Sequence, residues 1–320
     1  MPGPRIVDDL SAAGAGPFVL LAGAGISLWH PSSLPTWSEF NTALLDEAKA
    51  RARRALPPRS PLHQDIESLN VNDIGSKAFS NALVEILAGE SYFSVVSALA
   101  FTEPNEAHRA IARLVRRRVV AAIVTTNFDT LIERGIADEG LAADVYSQPR
   151  DYERPSGPRV PVFKIHGSAT DRTGLIDTVG QKLRGLAPGV RERLCEWFAK
   201  HPVISLGYSG GDLEFAADYL TLRVIPVGTD RIWWVVRPED RERLEPTTQA
   251  LIDQRGAFVA MSQAAALEAI GAGSVALEWN VESRRERLAL LRSQGNALFQ
   301  KHGALNTLAF CMRLVSAAGR

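Results

Sequence analysis

Short, unbroken runs of apolar residues recur along most of the chain, and stretches with helical spacing separate most of them. A strand inside a parallel sheet is buried on both faces, so it appears in the sequence as a continuous apolar run. Six runs fit this description, at 18–21, 119–124, 160–165, 203–206, 232–236 and 257–261. Their alternation with helices predicts an α/β fold, a doubly wound parallel sheet with helices on both faces.

Helical spacing marks the segments between these strands. It predicts helices at 189–200, 212–222 and 247–254. A further helix opens at Pro104, because proline suits a first helical turn. Thr36 and Glu39 have the spacing of a capping box, in which the two residues cap each other's backbone, so they predict another helix start.

Two parts of the chain depart from the alternation. Residues 56–103 contain a proline-rich loop and then helical patterns, which we interpret as a helical insertion over the edge of the sheet. The pattern at 280–320 is purely helical and predicts a hairpin, either a plain one or the start of a tetratricopeptide-type array. The main domain is then 1–279. A lone helical unit cannot bury its own apolar face, so it must pack on this domain, on another subunit or on residues beyond this chain.

Composition excludes several functional classes. The 320 residues include 36 Lys+Arg and 36 Asp+Glu, and this balance argues against nucleic-acid binding as the main function. Two cysteines, Cys195 and Cys311, exclude a disulfide framework and a four-cysteine zinc site. We find neither a signal-peptide pattern nor an apolar run of membrane-spanning length, so we expect a cytoplasmic protein without membrane association.

The first predicted strand runs directly into Gly23-Ala24-Gly25. Glycines after a buried strand permit a tight turn and expose backbone N–H groups, so one hypothesis is a phosphate-bearing ligand at the carboxyl edge of the sheet. The alternative is a tight turn without a ligand. The common dinucleotide-binding fingerprint is not met, because position 28 is leucine and a helix follows where a second strand should come.

Four loops follow predicted strands, at 23–27, 125–129, 165–168 and 206–212. Since the carboxyl ends of parallel strands lie along one edge, we expect these loops to converge on one crevice. They offer glycines for contacts with phosphates, an amide and a carboxylate for hydroxyl groups, and a histidine that accepts a proton near neutral pH. The candidates are Gly23, Gly25, Asn127, Asp129, His166, Gly207 and Ser209. Helix capping by the asparagine and aspartate and a structural role for the histidine are the alternatives.

Five motifs follow one another in a specific order. They are GAGIS at 23–27, PNEAH at 104–108, TTNFD at 125–129, HG at 166–167 and GYS at 207–209. This order, over about residues 17–270, resembles the sirtuin superfamily. The resemblance implies a Rossmann-like domain with a helical small domain, and NAD bound in the crevice between them.

Carried over residue by residue, the resemblance implies individual roles. Asn127 would hold the nicotinamide ribose or a water, Asp129 would reach the carboxamide, and His166 would be the general base. Ala24 and Gly25 would face the pyrophosphate. The other NAD-binding residues that it implies are Gly207 and Ser209, near the adenosine half, together with Gly23, Ile26, Ser27, Thr126, Tyr208 and Asp212.

The sequence also departs from the sirtuin deacylases. Where those typically have G-I-P-D-F-R, this chain has SLPTWS at 33–38. It lacks the Cys-x-x-Cys pairs of their zinc ribbon, so we expect no zinc or other metal. TTNFD together with G-Y-S-x-x-D instead resembles the bacterial sirtuin-like effectors of anti-phage systems, such as Thoeris-type and Argonaute-associated proteins, which consume NAD.

The resemblance therefore implies an NAD glycohydrolase, with NAD as its substrate and with nicotinamide and ADP-ribose as products. Since constitutive activity would kill the host, we expect a dormant, regulated effector. The expected partners are further copies of the chain, or an activating protein that acts through the C-terminal helices. Two alternatives stay open, an NAD-dependent protein deacylase and a non-catalytic sensor of NAD or ADP-ribose.

Overall fold

The fold is seen in a computed structural model of the chain. It describes residues 11–12, 16–70, 95–97, 102–171, 174–176, 179–213, 218–226 and 231–318. Residues 71–94 and 98–101, which form most of the helical insertion predicted at 56–103, lie outside the described residues.

Seven parallel strands form one sheet in the order β3-β4-β2-β1-β5-β6-β7. The strands are β1 (Phe18–Ala22), β2 (Val120–Thr125), β3 (Ala143–Tyr146), β4 (Val160–Lys164), β5 (Val203–Leu206), β6 (Ile232–Val236) and β7 (Gly256–Ala260). The chain leaves the central strand β1 in both directions, so the predicted α/β class and doubly wound parallel sheet are confirmed. All six predicted strands are present, each within one residue of its predicted ends.

The seventh strand, β3, is absent from the sequence-based prediction. Its residues Ala-Asp-Val-Tyr mix apolar and polar side chains, and only Tyr146 among them is fully buried. The strand lies at an edge of the sheet and pairs with β4 alone. An edge strand is partly exposed and therefore lacks the continuous apolar run by which the other six were found.

Ten α-helices have bounds within the described part of the chain, and residues 11–12 and 95–97 are also helical. The ten are α1 (Trp37–Ala55), α2 (Leu62–Ser68), α3 (Glu106–Arg116), α4 (Leu131–Asp138), α5 (Val179–Leu183), α6 (Pro188–Lys200), α7 (Pro246–Arg255), α8 (Gln263–Ala269), α9 (Val281–His302) and α10 (Ala304–Ala318). The capping box is confirmed, because the Glu39 N–H donates to Thr36 Oγ1 at 3.2 Å and the Thr36 N–H donates to Glu39 Oε2 at 2.7 Å. Among the described residues, no helix is both long and apolar enough to cross a membrane.

The predictions at 189–200 and 247–254 correspond to α6 and α7, whereas the helix predicted at 212–222 is wrong for the residues described there. Residues 211–213 and 218–220 form turns, and a short 3₁₀ helix follows at Leu222–Val224. Thr221 has a φ of 57°, a left-handed conformation in which a right-handed helix cannot continue. The Asp212 side chain lies in the protein interior and does not cap a helix.

The side chains of β1 alternate between the two faces of the sheet and so join two cores. Phe18 and Leu20 pack in a core that includes residues of α3, α4 and α8. Val19 and Leu21 pack in a core that includes residues of α6 and α7. All five residues of β1 are buried, so the loop that follows β1 starts from a fixed position at the centre of the sheet.

A third core joins α1 and α2 to the C-terminal hairpin of α9 and α10. Leu44 of α1 lies against Gly295 of α9, where a Cβ would be 2.8 Å from the Leu44 Cδ2 atom, so glycine permits this close approach. Arg284 of α9 also contacts Glu39 of α1 at 2.6 Å. The hairpin thus packs on this chain's own α1, which is one of the three arrangements that the sequence left open.

Candidate functional site

The loops after β1 and β5 are packed directly against each other at the carboxyl edge of the sheet. The Gly23 N–H donates to the Leu206 carbonyl at 3.0 Å, and the Gly25 N–H donates to the Gly207 carbonyl at 2.8 Å. A Cβ on Gly23 would lie 2.5 Å from the Gly207 oxygen, and one on Gly25 would lie 2.7 Å from the Gly207 Cα. Neither amide is therefore available to an anion in this structure. The two glycines are explained by the close approach of the loops.

The remaining residues predicted in these two loops divide into exposed and buried positions. Ala24 and Ser209 are exposed. Ile26 is buried in the core on one side of the sheet, and Tyr208 is buried in the core on the other side. Only the exposed pair is directly accessible to a molecule that approaches this junction.

Ser27 belongs to a buried hydrogen-bonded group with His108 and Asp129, which we call the His108 cluster. Asn105 caps α3, and its backbone N–H donates to His108 Nδ1 at 3.1 Å. The neutral ring therefore carries its hydrogen on Nε2, which lies 3.3 Å from Ser27 Oγ and donates to it. The Ser27 hydroxyl in turn donates to Asp129 Oδ2 at 3.0 Å.

Both carboxylate oxygens of Asp129 are used within the protein, since Oδ1 accepts the Leu131 N–H at 3.0 Å. Burial raises the pKa of Asp129, and the nearby charge of Lys164 opposes that rise. Burial lowers the pKa of His108 to about 3. In this structure Asp129 organises the start of α4 and the loop after β1, as a capping residue does.

A second buried group, the His166 cluster, consists of His166, Lys182, Tyr208 and Asp212. Lys182 Nζ donates to Asp212 Oδ1 at 2.7 Å, and the Tyr208 hydroxyl donates to Asp212 Oδ2 at 3.0 Å. The His166 Nε2 atom lies 3.8 Å from Asp212 Oδ1, beyond hydrogen-bonding distance. The four side chains come from β5's loop, from α5 and from the loop after β4, so the predicted convergence of loops brings His166 and Asp212 together.

The electrostatics of this cluster follow from its burial. Desolvation lowers the pKa of His166 to about 4, with Asp212 acting to raise it and Lys182 acting to lower it. Desolvation alone would raise the pKa of Asp212, but the charges of His166 and Lys182 and the hydrogen bond from Tyr208 together hold it at about 2. At neutral pH the cluster therefore contains a neutral imidazole beside a buried ion pair.

Two buried acceptors, which follow the carboxyl ends of β2 and β4, are not used by the described part of the protein. Asn127 Nδ2 donates to the Gly23 carbonyl at 3.2 Å, while its Oδ1 atom has no partner among the described residues. The same is true of His166 Nε2. A hydrogen bond between the His166 ring and the Thr126 backbone raises the pKa of the ring, so the Thr126 carbonyl accepts it and Nε2 keeps its lone pair. A buried polar atom without a partner costs about 1–3 kcal/mol. Of the twelve such side-chain atoms among the described residues, these two belong to predicted site residues, so they are the candidates to accept hydrogen bonds from a bound molecule.

The predicted site is closed to solvent in this structure. Asn127, Asp129 and His166 are 5%, 6% and 3% exposed. The Phe128 ring lies between His166, at a centroid distance of 6.1 Å, and Trp37 of α1, at 5.5 Å. Neither of two surface cavities elsewhere, of about 330 and 250 Å³, is lined by these residues. A ligand reaches the unused acceptors only after a local opening.

Part of the chain matches a known protein family. Residues 121–251 match the model of the SIR2-like domain family. The matched segment, less than half of the chain, runs from β2 into α7 and includes Asn127, His166 and Asp212. The sirtuin-like resemblance of the motifs is thereby supported for this segment, whereas the anti-phage subtype is not distinguished. No curated protein matches the sequence of this chain.

Solved structures of Sir2 homologues are similar to the chain at low identity. One is a mutant Sir2 homologue in complex with ADP ribose, with 16% identity, coverage of 88% of this chain and 97% of that chain, and a TM-score of 0.45. Another is a complex of a Sir2 homologue with NAD, with 16% identity, coverage of 91% and 96% respectively, and a TM-score of 0.44.

The sequence-based candidate set lacks two residues that the structure brings into these clusters. His108 lies in the PNEAH motif, and its spacing from Asn105, which is that of a capping pair, is the signal that could have identified it. Lys182 offered none, because a single lysine in a polar stretch has no distinguishing pattern. It reaches Asp212 from 30 positions earlier in the chain through the tertiary fold.

Proposed function

We propose that this protein is an NAD glycohydrolase, which cleaves NAD to nicotinamide and ADP-ribose. The observation that supports the proposal best is the pair of unused buried acceptors, Asn127 Oδ1 and His166 Nε2, at the carboxyl edge of a parallel sheet. Both lie in the segment that matches the SIR2-like family model. Open α/β sheets bind ligands at this edge.

The proposed reaction breaks the bond between the nicotinamide nitrogen and the anomeric carbon of ribose. As this bond lengthens, the ribose becomes oxocarbenium-like and the cationic nicotinamide departs as a neutral molecule. A water that donates hydrogen bonds to Asn127 Oδ1 and His166 Nε2 attacks the anomeric carbon. His166 takes the proton from the water and later returns it to solvent, so NAD and water give nicotinamide, ADP-ribose and a proton. A positioned base typically contributes a factor of about 10² to 10⁴ in rate.

The state of His166 supports this role. Its pKa of about 4 keeps the ring unprotonated at neutral pH, so Nε2 is able to accept a proton. Since desolvation is the main cause of the low value, an opening that admits water and substrate raises the pKa toward the value at which a general base is most effective.

The other predicted contacts with NAD remain part of the proposal. Because the Gly23 and Gly25 amides are bonded within the protein, we assign the diphosphate to the exposed side of the same junction, at Ala24 and Ser209. Asp129 then acts by holding the loop after β1 through Ser27. Direct contact of Asp129 with the nicotinamide carboxamide requires rearrangement of its hydrogen bonds.

The test is incubation of the purified protein with NAD at high and low protein concentration, with nicotinamide and ADP-ribose followed by chromatography. Equal release of both products without any peptide supports the hydrolase. His166→Ala removes turnover while NAD binding, measured by calorimetry, is retained. The matched control is His201→Ala, because His201 lies at the amino end of β5, on the opposite edge of the sheet.

Three results distinguish the competing functions. Turnover that requires an acylated peptide and yields O-acyl-ADP-ribose identifies a deacylase. NAD binding without turnover at every concentration supports a sensor or an enzyme that needs an activator. Equal turnover in wild type and His166→Ala contradicts the proposed base.

We propose further that the activity serves regulated anti-phage defence. The support is the resemblance of TTNFD at 125–129 and of the G-Y-S-x-x-D motif to NAD-consuming effectors. In a bacterial host that expresses the protein, phage infection then lowers cellular NAD with the wild type and not with His166→Ala.

The trigger that we propose is self-association or a protein partner that contacts α9 and α10. Specific activity that rises with protein concentration, alongside oligomer mass, tests the first of these.

A further inference from the structure

We propose that Lys182 is a positioning residue for the base of this site. By offsetting the Asp212 carboxylate, it lowers the pH at which the His166 imidazole takes up a proton, and so keeps the Nε2 atom available over a wider range of pH. The catalytic meaning of this inference rests on the proposed function. Its physical content is a property of the ligand-free protein and is measured without NAD.

The geometry puts two cationic or basic groups on one carboxylate oxygen. Asp212 Oδ1 lies 2.7 Å from Lys182 Nζ and 3.8 Å from His166 Nε2. Its other oxygen accepts the Tyr208 hydroxyl at 3.0 Å. The lysine therefore occupies the position that a protonated imidazole would take beside the carboxylate.

Because the three side chains are buried, the charges of Lys182 and Asp212 act strongly on His166. The Lys182 and Asp212 side chains are each 9% exposed, and that of His166 is 4% exposed. Charges so far from solvent interact at a lower effective dielectric constant than charges on the surface. A carboxylate within about 4–6 Å of a histidine, with nothing to offset it, raises the pKa of the histidine by about 1–3.

Among the described residues that face the His166 ring, none besides Asp212 and Lys182 carries a full charge. Asp212 and Lys182 are the two charged groups that act on the ring. The Tyr219 ring packs on it at 5.8 Å, the Phe128 ring packs at 6.1 Å, and the Thr126 backbone accepts a hydrogen bond. Desolvation lowers the pKa of His166 most, and the pH at which the ring takes up a proton is further set by whether Lys182 balances Asp212.

The consequence concerns the lone pair of the base. If Asp212 were unbalanced, the ring would take up a proton at a pH about 1 to 2 higher than in the wild type, and Nε2 would then become a donor to the carboxylate. Below that pH it would be unable to remove a proton from water.

The experiment is an NMR titration of the histidine rings in the ligand-free protein, with His166 assigned by the signal that is lost in His166→Gln. Lys182→Gln removes the charge and keeps a hydrogen-bond donor for Asp212. We expect the pKa of His166 to rise by about 1 to 2 in this variant and to stay at the wild-type value in Lys182→Arg. His108 serves as the internal control, because its surroundings contain neither Lys182 nor Asp212. An unchanged His166 pKa in folded Lys182→Gln overturns the proposal.

A second variant covers the case in which Lys182→Gln does not fold. The double variant Lys182→Gln/Asp212→Asn removes both buried charges and leaves two amides able to bond to each other. Since the two charges offset each other at His166, the pKa of His166 in the double variant should lie within about 1 of the wild-type value. A larger change of this pKa in either direction contradicts the charge balance that we propose.

Kinetics separate this inference from the proposed function. If the protein hydrolyses NAD, the acid limb of the kcat/KM profile moves to higher pH in Lys182→Gln by the same amount as the NMR pKa. If the NMR pKa of His166 rises in Lys182→Gln but the protein does not hydrolyse NAD, the proposed hydrolase is refuted and the role of Lys182 stands. If the protein hydrolyses NAD but the pKa of His166 is unchanged in Lys182→Gln, the role of Lys182 is refuted and the hydrolase stands.

Discussion

Two buried histidines stand at the same edge of the sheet, each beside a polar cluster that contains an aspartate. His108 is bonded through both ring nitrogens, to the Asn105 N–H and to the Ser27 hydroxyl. His166 keeps one nitrogen, Nε2, without a hydrogen-bond partner among the described residues. Burial lowers the pKa of both rings, to about 3 and about 4 respectively.

The comparison of His108 with His166 shows that neither burial nor a low pKa identifies the general base. Both properties are shared, because both rings are removed from water. What separates the two clusters is the allocation of hydrogen bonds. In the His108 cluster both ring nitrogens are used within the protein, Nδ1 by the Asn105 N–H at the start of α3 and Nε2 by Ser27 in the loop after β1, which is a structural task. In the His166 cluster an acceptor is left over for another molecule.

The largest expected effect comes from exchanging each histidine for glutamine. His166→Gln lowers NAD turnover by about 10²- to 10⁴-fold, the usual contribution of a general base. It costs only about 1 kcal/mol of unfolding free energy, because Nε2 makes no bond and the ring's hydrogen bond to the Thr126 backbone is the one that is lost. Initial rates and urea unfolding of the same samples check both parts.

His108→Gln should give the opposite pattern. It loses about 1–3 kcal/mol of stability, because the Asn105 N–H and the Ser27 hydroxyl lose a well-placed partner. Turnover per folded molecule stays within about tenfold of wild type. If the two variants show the same pattern, the distinction between a structural and a functional histidine is wrong.

An effect on stability is also expected at the junction that links the two clusters. Gly207 has a φ of 64°, and a Cβ there would lie 2.6 Å from the Ile26 nitrogen. Gly207→Ala combines a left-handed backbone with overpacking, so we expect a loss of about 3 kcal/mol in unfolding free energy.

Gly140→Ala is the matched control for this junction. Its φ is 71°, but a Cβ there meets nothing within 4 Å, so only the backbone cost of about 1–2 kcal/mol applies. Equal losses in the two variants, measured by urea unfolding, would show that the close contact between the loops after β1 and β5 does not contribute to stability.

The sequence predicted the position of the site better than its bonding. Six strands were found because burial on both faces leaves a continuous apolar run, and parallel strands then bring the loops at 23–27 and 206–212 to one edge. The use of each amide and side chain was not predictable. The N–H of Gly25 bonds to Gly207 because two loops distant in sequence are packed together, and no local pattern encodes that distance.

The smallest expected effect is one that the two histidines share. A histidine has a pKa of about 6.5 in the unfolded chain. Because the pKa values in the folded protein are lower, the unfolded state binds more protons in acid. Each neutral ring therefore contributes its full stability above about pH 6.5. This contribution decreases as the pH falls, and for His166 it is lost at about pH 4. Between pH 7 and pH 5 each ring should account for a loss of about 2 kcal/mol. Urea unfolding at the two pH values should therefore show a decline smaller by about this amount in His166→Gln than in wild type, and similarly smaller in His108→Gln. An undiminished decline in His166→Gln would mean that the ring has the same pKa in the folded and the unfolded protein, and would contradict the lowered pKa of the proposed base.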